Sequence, residues 1–139
     1  MLRRVLLGLV FGLLATPAFA ANIFIVVDIS EQRMWVAVDG APTHSFDVST
    51  GRKGYETPTG RYDVTRMYRK YHSKKYDGAP MPYSIFFHGG YAIHGTTDLK
   101  NLGSIASHGC VRLHPDNAQA LFDLVKQVGA ENTTIRVMS

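Results

Sequence analysis

Apolar and polar positions alternate with a period of two along most of the chain, the spacing of strands with one buried face. Asn22–Asp28 is a β-branched run that reads as a largely buried strand, and Arg33–Val38 follows it. Asp39-Gly40 is a hairpin turn of the type that needs positive φ. Thr43 to Ser49 sets Ser45, Asp47 and Ser49 against His44, Phe46 and Val48, so one face packs and the other is wet. These three strands are expected to form a meander, with Trp35, Phe46 and Val48 in the core. Gly and Pro punctuation marks 50–60 as a loop. A strand resumes over 61–69 with Tyr62, Val64 and Met67 inward. Met81–Phe87 then leads through Gly89-Gly90 into a short strand, Tyr91–His94. Only over 115–128 does the period lengthen. Apolar positions 118, 121, 122, 125 and 128 predict a helix, opened by Pro115 and Asp116 and stopped by Gly129. Thr134–Val137 is the closing strand.

The first twenty residues carry a different pattern. Arg3 and Arg4 precede an apolar run from Val5 to Ala15, Pro17 breaks it, and Ala18-Phe19-Ala20 stands before Ala21. This is the pattern of a secretory signal peptide over 1–20. The run is too short to be a comfortable membrane span, so no stable membrane insertion is expected. The strongly apolar flank suits the general export route better than a twin-arginine one. The remaining 21–139 gives room for one domain with one core. Removing Arg3 and Arg4 lowers Lys+Arg from 15 to 13 against 11 acidic residues, so the net charge falls from +4 to +2. That is mildly basic and not a composition for polyanions. Five Lys and Arg residues from Arg66 to Lys75 are interleaved with Tyr68, Tyr71 and His72, but export argues against nucleic acid as their partner. They read as a solvated hairpin, or as a surface for anionic cell-wall material. Asn132-Thr133-Thr134 matches a glycosylation acceptor, with nothing to indicate use.

Export changes the meaning of the single cysteine. Oxidising compartments favour paired cysteines, and Cys110 has no partner in the chain. Such a thiol is an intermolecular link or a free reactive group. Its setting, Ser107-His108-Gly109-Cys110-Val111-Arg112-Leu113, favours the second. Gly109 frees the preceding backbone for a sharp turn or a close substrate approach. His94 and His108 supply imidazoles that can hold a thiolate, and Arg112 adds positive charge that favours thiolate or binds a carboxylate. Pairing with an imidazolium lowers a thiol from about 8.5 to roughly 3.5–7.5, so thiolate is expected at neutral pH. His108 is read either as a participant in the chemistry or as a loop-holding residue. His44, His72, His88 and His114 are read as structural or solvent-exposed.

Ala92-Ile93-His94-Gly95-Thr96 taken with Ser107 to Leu113 resembles the two-part signature of the L,D-transpeptidase catalytic domain family, the YkuD-like enzymes of bacterial cell walls. Val48-Ser49-Thr50-Gly51, Thr57-Pro58-Thr59-Gly60, Met81-Pro82-Tyr83-Ser84, and Asp28, Gln32 and Asp39-Gly40 resemble it in the same order, so the similarity spans roughly 22 to 137. The resemblance implies a mainly β, single-domain β-sandwich or partly open barrel with one C-terminal-region helix packed on it, located in the periplasm or cell wall. It implies Cys110 as nucleophile on the stem-tetrapeptide carbonyl before the terminal D-alanine. It implies His94 as base, oriented through its second nitrogen by the Gly95 carbonyl, and the Cys110 amide with Gly109 or the His108 region as oxyanion hole. Ser107, Arg112, Met81, Tyr83 and Thr96 are the implied substrate-binding positions.

The partners so implied are peptidoglycan stem peptides as donor and acceptor, with no cofactor and no metal. The acyl group would pass to a diamino-acid side-chain amine in a 3–3 cross-link. Transfer to water, which makes the enzyme an L,D-carboxypeptidase, and transfer to an outer-membrane protein remain alternatives. The partition would depend on acceptor access around Lys53–Tyr55 and Tyr68–Met81. A non-catalytic wall-binding module is a further reading, as is a blue-copper site using Cys110 and His114, whose missing nearby Met counts against it. No serine is followed three residues later by lysine, which disfavours D,D-transpeptidase chemistry. Oligomeric state is left unspecified.

Overall fold

The computed structural model describes residues 21–139; the expected signal peptide over 1–20 lies outside them. Two mixed sheets and one helix make up a mainly β domain with no closed barrel. The first sheet is built from β1 (Ile23–Asp28), β2 (Arg33–Val38), β3 (Ala41–Asp47), β4 (Gly60–Asp63) and β9 (Thr133–Met138). Its order is β3-β2-β1-β9-β4. The expected meander of β1 to β3 is present, and Asp39 and Gly40 both take positive φ at its turn. β9 lies parallel to β1 with Ile25 opposite Ile135, and antiparallel to β4.

The second sheet has the order β5-β6-β7-β8, from β5 (Arg66–Tyr68), β6 (Ser84–His88), β7 (Tyr91–Gly95) and β8 (Val111–Leu113). The strand expected over 61–69 is therefore two strands in different sheets. Val64 and Thr65 carry the chain from one sheet to the other, and the Thr65 amide donates to the Phe86 carbonyl at 2.9 Å. The inward side chains are nevertheless those expected, since Tyr62, Val64 and Met67 all pack against the core.

Alternation decides what each strand buries. In β2, Met34 and Val36 are sealed while Trp35 between them is 38% exposed, so Trp35 is not the core residue expected of it. Its size argued for burial, but its parity puts it on the outer face. Phe46 and Val48 are buried as expected. Ser49, expected on the wet face, is also buried, with its hydroxyl donating to the Ser104 carbonyl at 2.7 Å.

The helix α1 (Pro115–Val128) packs Ala118, Leu121, Phe122 and Val125 into the core against β6 and β7, with Val128 at its margin. Leu121, Phe122 and Val125 each contribute roughly 1.5–3 kcal/mol by leaving water. His114 caps the helix: its Nδ1 accepts the Asp116 amide at 3.1 Å, satisfying one of the orphan donors of the first turn. At the acceptor-like Asn132, the side-chain amide donates to the Val128 carbonyl and Thr133 is buried.

Candidate active site

The parallel pairing of β7 with β8 builds the site. Ile93 lies opposite Val111 and His94 opposite Arg112, so Cys110, one residue before β8, falls level with Ala92, two positions from His94 on the neighbouring strand. Cys110 and His94 both open into a cleft of about 650 Å³ that is also lined by Tyr76, Met81, Tyr91, Thr96, His108 and Arg112. His94 is buried and its Nδ1 meets the Gly95 carbonyl oxygen at 2.7 Å. A carbonyl only accepts, so that bond places the proton on Nδ1 and leaves Nε2 as the free acceptor of a neutral ring. Gly95 is constrained from the opposite side as well. Its amide donates to the Pro82 carbonyl, and a Cβ there would stand 3.2–3.4 Å from Pro82, Pro115 and Ala118.

The Ser107–Cys110 turn is held from both sides. The Ser107 hydroxyl donates to the Cys110 carbonyl at 2.6 Å and accepts the Gly109 amide at 3.0 Å. Ser107 lines the cleft but is itself buried, and its hydroxyl bonds within the loop. The Gly109 amide is thereby removed from the set of oxyanion donors expected for it, while the Cys110 amide makes no bond within the described chain. The Thr57 hydroxyl donates to the Gly109 carbonyl at 2.8 Å and accepts the Gly51 amide at 2.9 Å. Behind this, buried Gln32 accepts the Thr50 amide at 2.9 Å with its side-chain oxygen and donates to the Thr50 hydroxyl at 2.6 Å. In sequence Thr57 and Gln32 stand out only through the family resemblance; a short polar residue within the Gly/Pro-punctuated loop is the one local sign of bracing, and it applies to Thr57.

The other expected site residues divide. Met81 is buried in a small cluster with Phe86 and Ala92, and Cys110 packs against it. Thr96 lines the cleft and its hydroxyl accepts the Asp98 amide at 3.1 Å. Arg112 also lines it, with a guanidinium nitrogen 3.9 Å from Asp98. Tyr83 is absent from the cleft wall: it takes φ +55 and turns its ring onto Phe122 of α1, with centroids 5.7 Å apart. His108 makes no side-chain hydrogen bond among the described residues; it stacks on Tyr76 at 4.2 Å and meets Tyr55 edge-on at 5.0 Å. His88 lies between Tyr62 and Tyr91, and His44 is exposed. The basic hairpin expected over 66–75 folds back across the cleft mouth, tied by Ser73 to Ala79 and Met81 to Tyr71 backbone bonds.

The electrostatics of the pair differ from the ion pair expected. Burial holds the His94 ring down at about 4, opposed by its bond to Gly95 and assisted by the Arg112 charge. Burial pushes the Cys110 thiol above its usual value, opposed by the Ala92 amide and Arg112. The resting site therefore holds a neutral thiol and a neutral imidazole. Desolvation disfavours both charged forms more than nearby dipoles favour them.

This has a consequence for stability. An unfolded His binds its proton near 6.5 and folded His94 only near about 4, so in that window the unfolded chain carries the extra proton. Stability contributed by neutral His94 is present above pH 6.5 and is lost as pH falls, by about 2 kcal/mol at pH 5. Denaturant midpoints at pH 7 and pH 5 should fall further apart in the wild type than in His94→Asn. Equal separation would mean that His94 is protonated in the folded protein.

The sequence profile of the L,D-transpeptidase catalytic domain matches residues 22–137. The chain belongs to that family. Among L,D-transpeptidase relatives, it is 28% identical over 115 residues to YqjB of Bacillus subtilis, covering 73% of this chain and 65% of that protein. It is 30% identical over 127 residues to ErfK/SrfK of Escherichia coli, covering 73% of this chain and 40% of that one. The chain thus spans less than two thirds of the length of either relative. An L,D-transpeptidase structure from Stackebrandtia nassauensis superposes with a TM-score of 0.74 at 30% identity, covering 85% of this chain and 56% of that one. One from Mycobacterium smegmatis shares the fold, with a TM-score of 0.76 at 22% identity over 86% of this chain and 59% of that one.

Proposed function

We propose that this L,D-transpeptidase-family protein is an exported peptidoglycan acyltransferase with Cys110 as nucleophile and His94 as base. The observation that carries the reading is the parallel β7–β8 pairing, which sets Cys110 and an Nδ1-committed His94 on one cleft. Nδ1 is spent on the Gly95 carbonyl, so Nε2 takes the thiol proton as Sγ attacks the tetrapeptide carbonyl before the terminal D-alanine. Moving that proton during attack suits a pair that is neutral at rest. The oxyanion meets the Cys110 amide. Collapse of the tetrahedral intermediate breaks the C–N bond, and Nε2–H returns its proton to the departing D-alanine amine.

The thioester left on Sγ is resolved by the side-chain amine of a second stem's diamino acid, giving a 3–3 cross-link, with Nε2 taking the amine proton and the thiol re-forming. Water in place of the amine gives a tripeptide, the carboxypeptidase outcome. Mass spectrometry of disaccharide-tetrapeptide incubated with residues 21–139 tests this. Loss of D-alanine is expected, and the ratio of cross-linked dimer to tripeptide reads the acceptor. No loss of D-alanine across pH 5–9 in a reducing buffer would point instead to a wall-binding module.

A second test requires no acceptor. LdtMt1, whose fold this chain shares with a TM-score of 0.75 at 23% identity over 85% of this chain and 59% of that one, has been solved in complex with imipenem. Imipenem should add one molecule of mass to this protein, and none to Cys110→Ala. An unshifted wild-type mass would argue against an accessible nucleophile.

A further inference from the structure

The register of the first sheet sets one row of side chains across its outer face. Trp35 of β2 lies opposite Ser45 of β3 and Val26 of β1, Val26 opposite Arg136 of β9, and Arg136 opposite Arg61 of β4. Their chain neighbours Val36, Ile25 and Ile135 are sealed in the core, so by strand alternation this row points away from it. Trp35, Arg136 and Arg61 are exposed, and none of the row lines the Cys110 cleft.

Two features of the row are unfavourable to the protein alone. Like charges directly opposite one another in an antiparallel pair are destabilising, yet Arg61 and Arg136 are so placed. Neither makes an ion pair among the described residues. The Arg61 guanidinium lies 5.6 Å from the centre of the half-buried Phe24 ring, which holds it over the face. The second feature is Trp35, the one tryptophan of the chain, left open to solvent two strands from Arg136.

Charge decides the shape of ligand that fits. The row itself carries two cations and no carboxylate. The row on one side holds Asp63, opposite Thr134; the row on the other holds Asp28 and Asp47, with Arg33 between them already bonded to Asp47 at 2.6 Å. An anionic bilayer or a broad acidic protein surface would meet all three carboxylates along with the arginines. A narrow chain lying across the strands meets the arginines alone. Strands stand about 4.8 Å apart, so Trp35 and Arg61 are about 14 Å apart along the row, the reach of a short polymer segment. The middle of a sheet has spent its backbone N–H and C=O groups on its own ladders, whereas extended peptides dock at free edges. Recognition here rests on side chains: an indole face takes the flat C–H face of a sugar ring, and paired guanidinium groups take a carboxylate or phosphate.

We propose that Trp35, Arg136 and Arg61 form a binding site for an acidic polysaccharide strand lying across β2, β1, β9 and β4. A sugar ring stacks on Trp35, and an acidic substituent further along the strand sits between Arg136 and Arg61. Cys110 and His94 belong to the other sheet, so the site anchors the protein on a glycan while the cleft stays free. It stands independently of the acyl-transfer reading.

Trp35 is its own probe, since all indole emission comes from it. Residues 21–139 are titrated with two acidic glycans: peptidoglycan strands freed of their stem peptides, with a lactyl carboxylate on alternate sugars, and hyaluronan oligosaccharides, with a uronate on alternate sugars. A saturable change in emission is expected, weakening as salt rises. Neutral chitin oligosaccharides should bind about tenfold more weakly at low salt. Arg61→Gln and Arg136→Gln should each lower affinity for the acidic glycan about three- to fivefold. By calorimetry Trp35→Ala should lower it about tenfold, and Trp35→Phe should restore part of the loss. Arg61→Gln relieves the opposed charges, so its urea midpoint should equal or exceed that of wild type, which separates lost binding from lost folding.

Binding of one acidic glycan and not the other supports the site and names the source of its ligand. Absence of saturable binding to both overturns it, as does chitin binding as tightly as the acidic strands. Affinity that the arginine substitutions leave unchanged overturns it too. Poly-glutamate binding as tightly as the glycans, with no loss in Trp35→Ala, would make the face a site for acidic peptides and overturn the polysaccharide.

Discussion

Cys110→Ala is expected to reduce release of D-alanine from a tetrapeptide donor by about 10⁶-fold, the loss that follows removal of the nucleophile from an acyl-transfer site. Nothing nearby can replace it. The Ser107 hydroxyl is bonded to Gly109 and Cys110 within its own loop, and among the described residues no second thiol is present. The substitution removes one sulfur from a half-buried position, and the turn is held by Ser107, Thr57 and the β8 pairing, none of which uses Sγ. The unfolding free energy should therefore stay within about 1 kcal/mol of wild type. A stable variant without turnover supports the nucleophile. A stable variant with wild-type turnover ends the assignment.

Gly109→Ala should damage both stability and rate. Gly109 sits at φ +119, where an L side chain is strained, and a Cβ there would come 2.5 Å from Cε1 of Tyr91 and 3.3 Å from the Tyr55 carbonyl oxygen. The residue cannot simply rotate away. Its amide is held by Ser107 and its carbonyl by Thr57, so relief comes only by breaking one of those bonds or displacing Tyr91. Backbone strain of this kind costs about 1–3 kcal/mol. Displacement of the next residue by about 1 Å is enough to cost about 10²-fold in rate. Urea titration and the rate of imipenem acylation read the two effects. If acylation keeps its wild-type rate, the Gly109 conformation does not position Cys110.

The parts of the fold that could be read from sequence were those whose pattern is local. Alternation gave the β1–β3 meander and 3.6-residue spacing gave α1, because each buries one face against a single core. The break at Val64-Thr65 shows in sequence only as a slip in the inward spacing, from two between Tyr62 and Val64 to three between Val64 and Met67, where the hydrogen-bonding partner changes from β9 to β6. Trp35 was misplaced because its size was weighed above its parity. The parallel register of β1 with β9 joins residues about 110 apart in sequence and leaves no local trace.

At the site, Cys110, His94 and the Gly95 carbonyl were read through resemblance; the structure bonds His94 Nδ1 to the Gly95 carbonyl and puts Cys110 on the same cleft. Tyr83 shared its motif with Met81 but turns the other way, a difference set by one positive φ. The expected thiolate failed for a different reason. Sequence spacing shows which charged groups are near one another, but not how much water is lost around them. At His94 and Cys110 that loss is the largest influence.

β9 is the last strand in chain order, yet it runs between β1 and β4 and hydrogen-bonds to both. During synthesis the first sheet therefore remains two separate pieces until residues 133–138 are available to join them. The wait delays completion of that sheet until the chain is nearly whole. It also makes assembly dependent on long-range contacts, the class of topology that folds in milliseconds to seconds and not in microseconds.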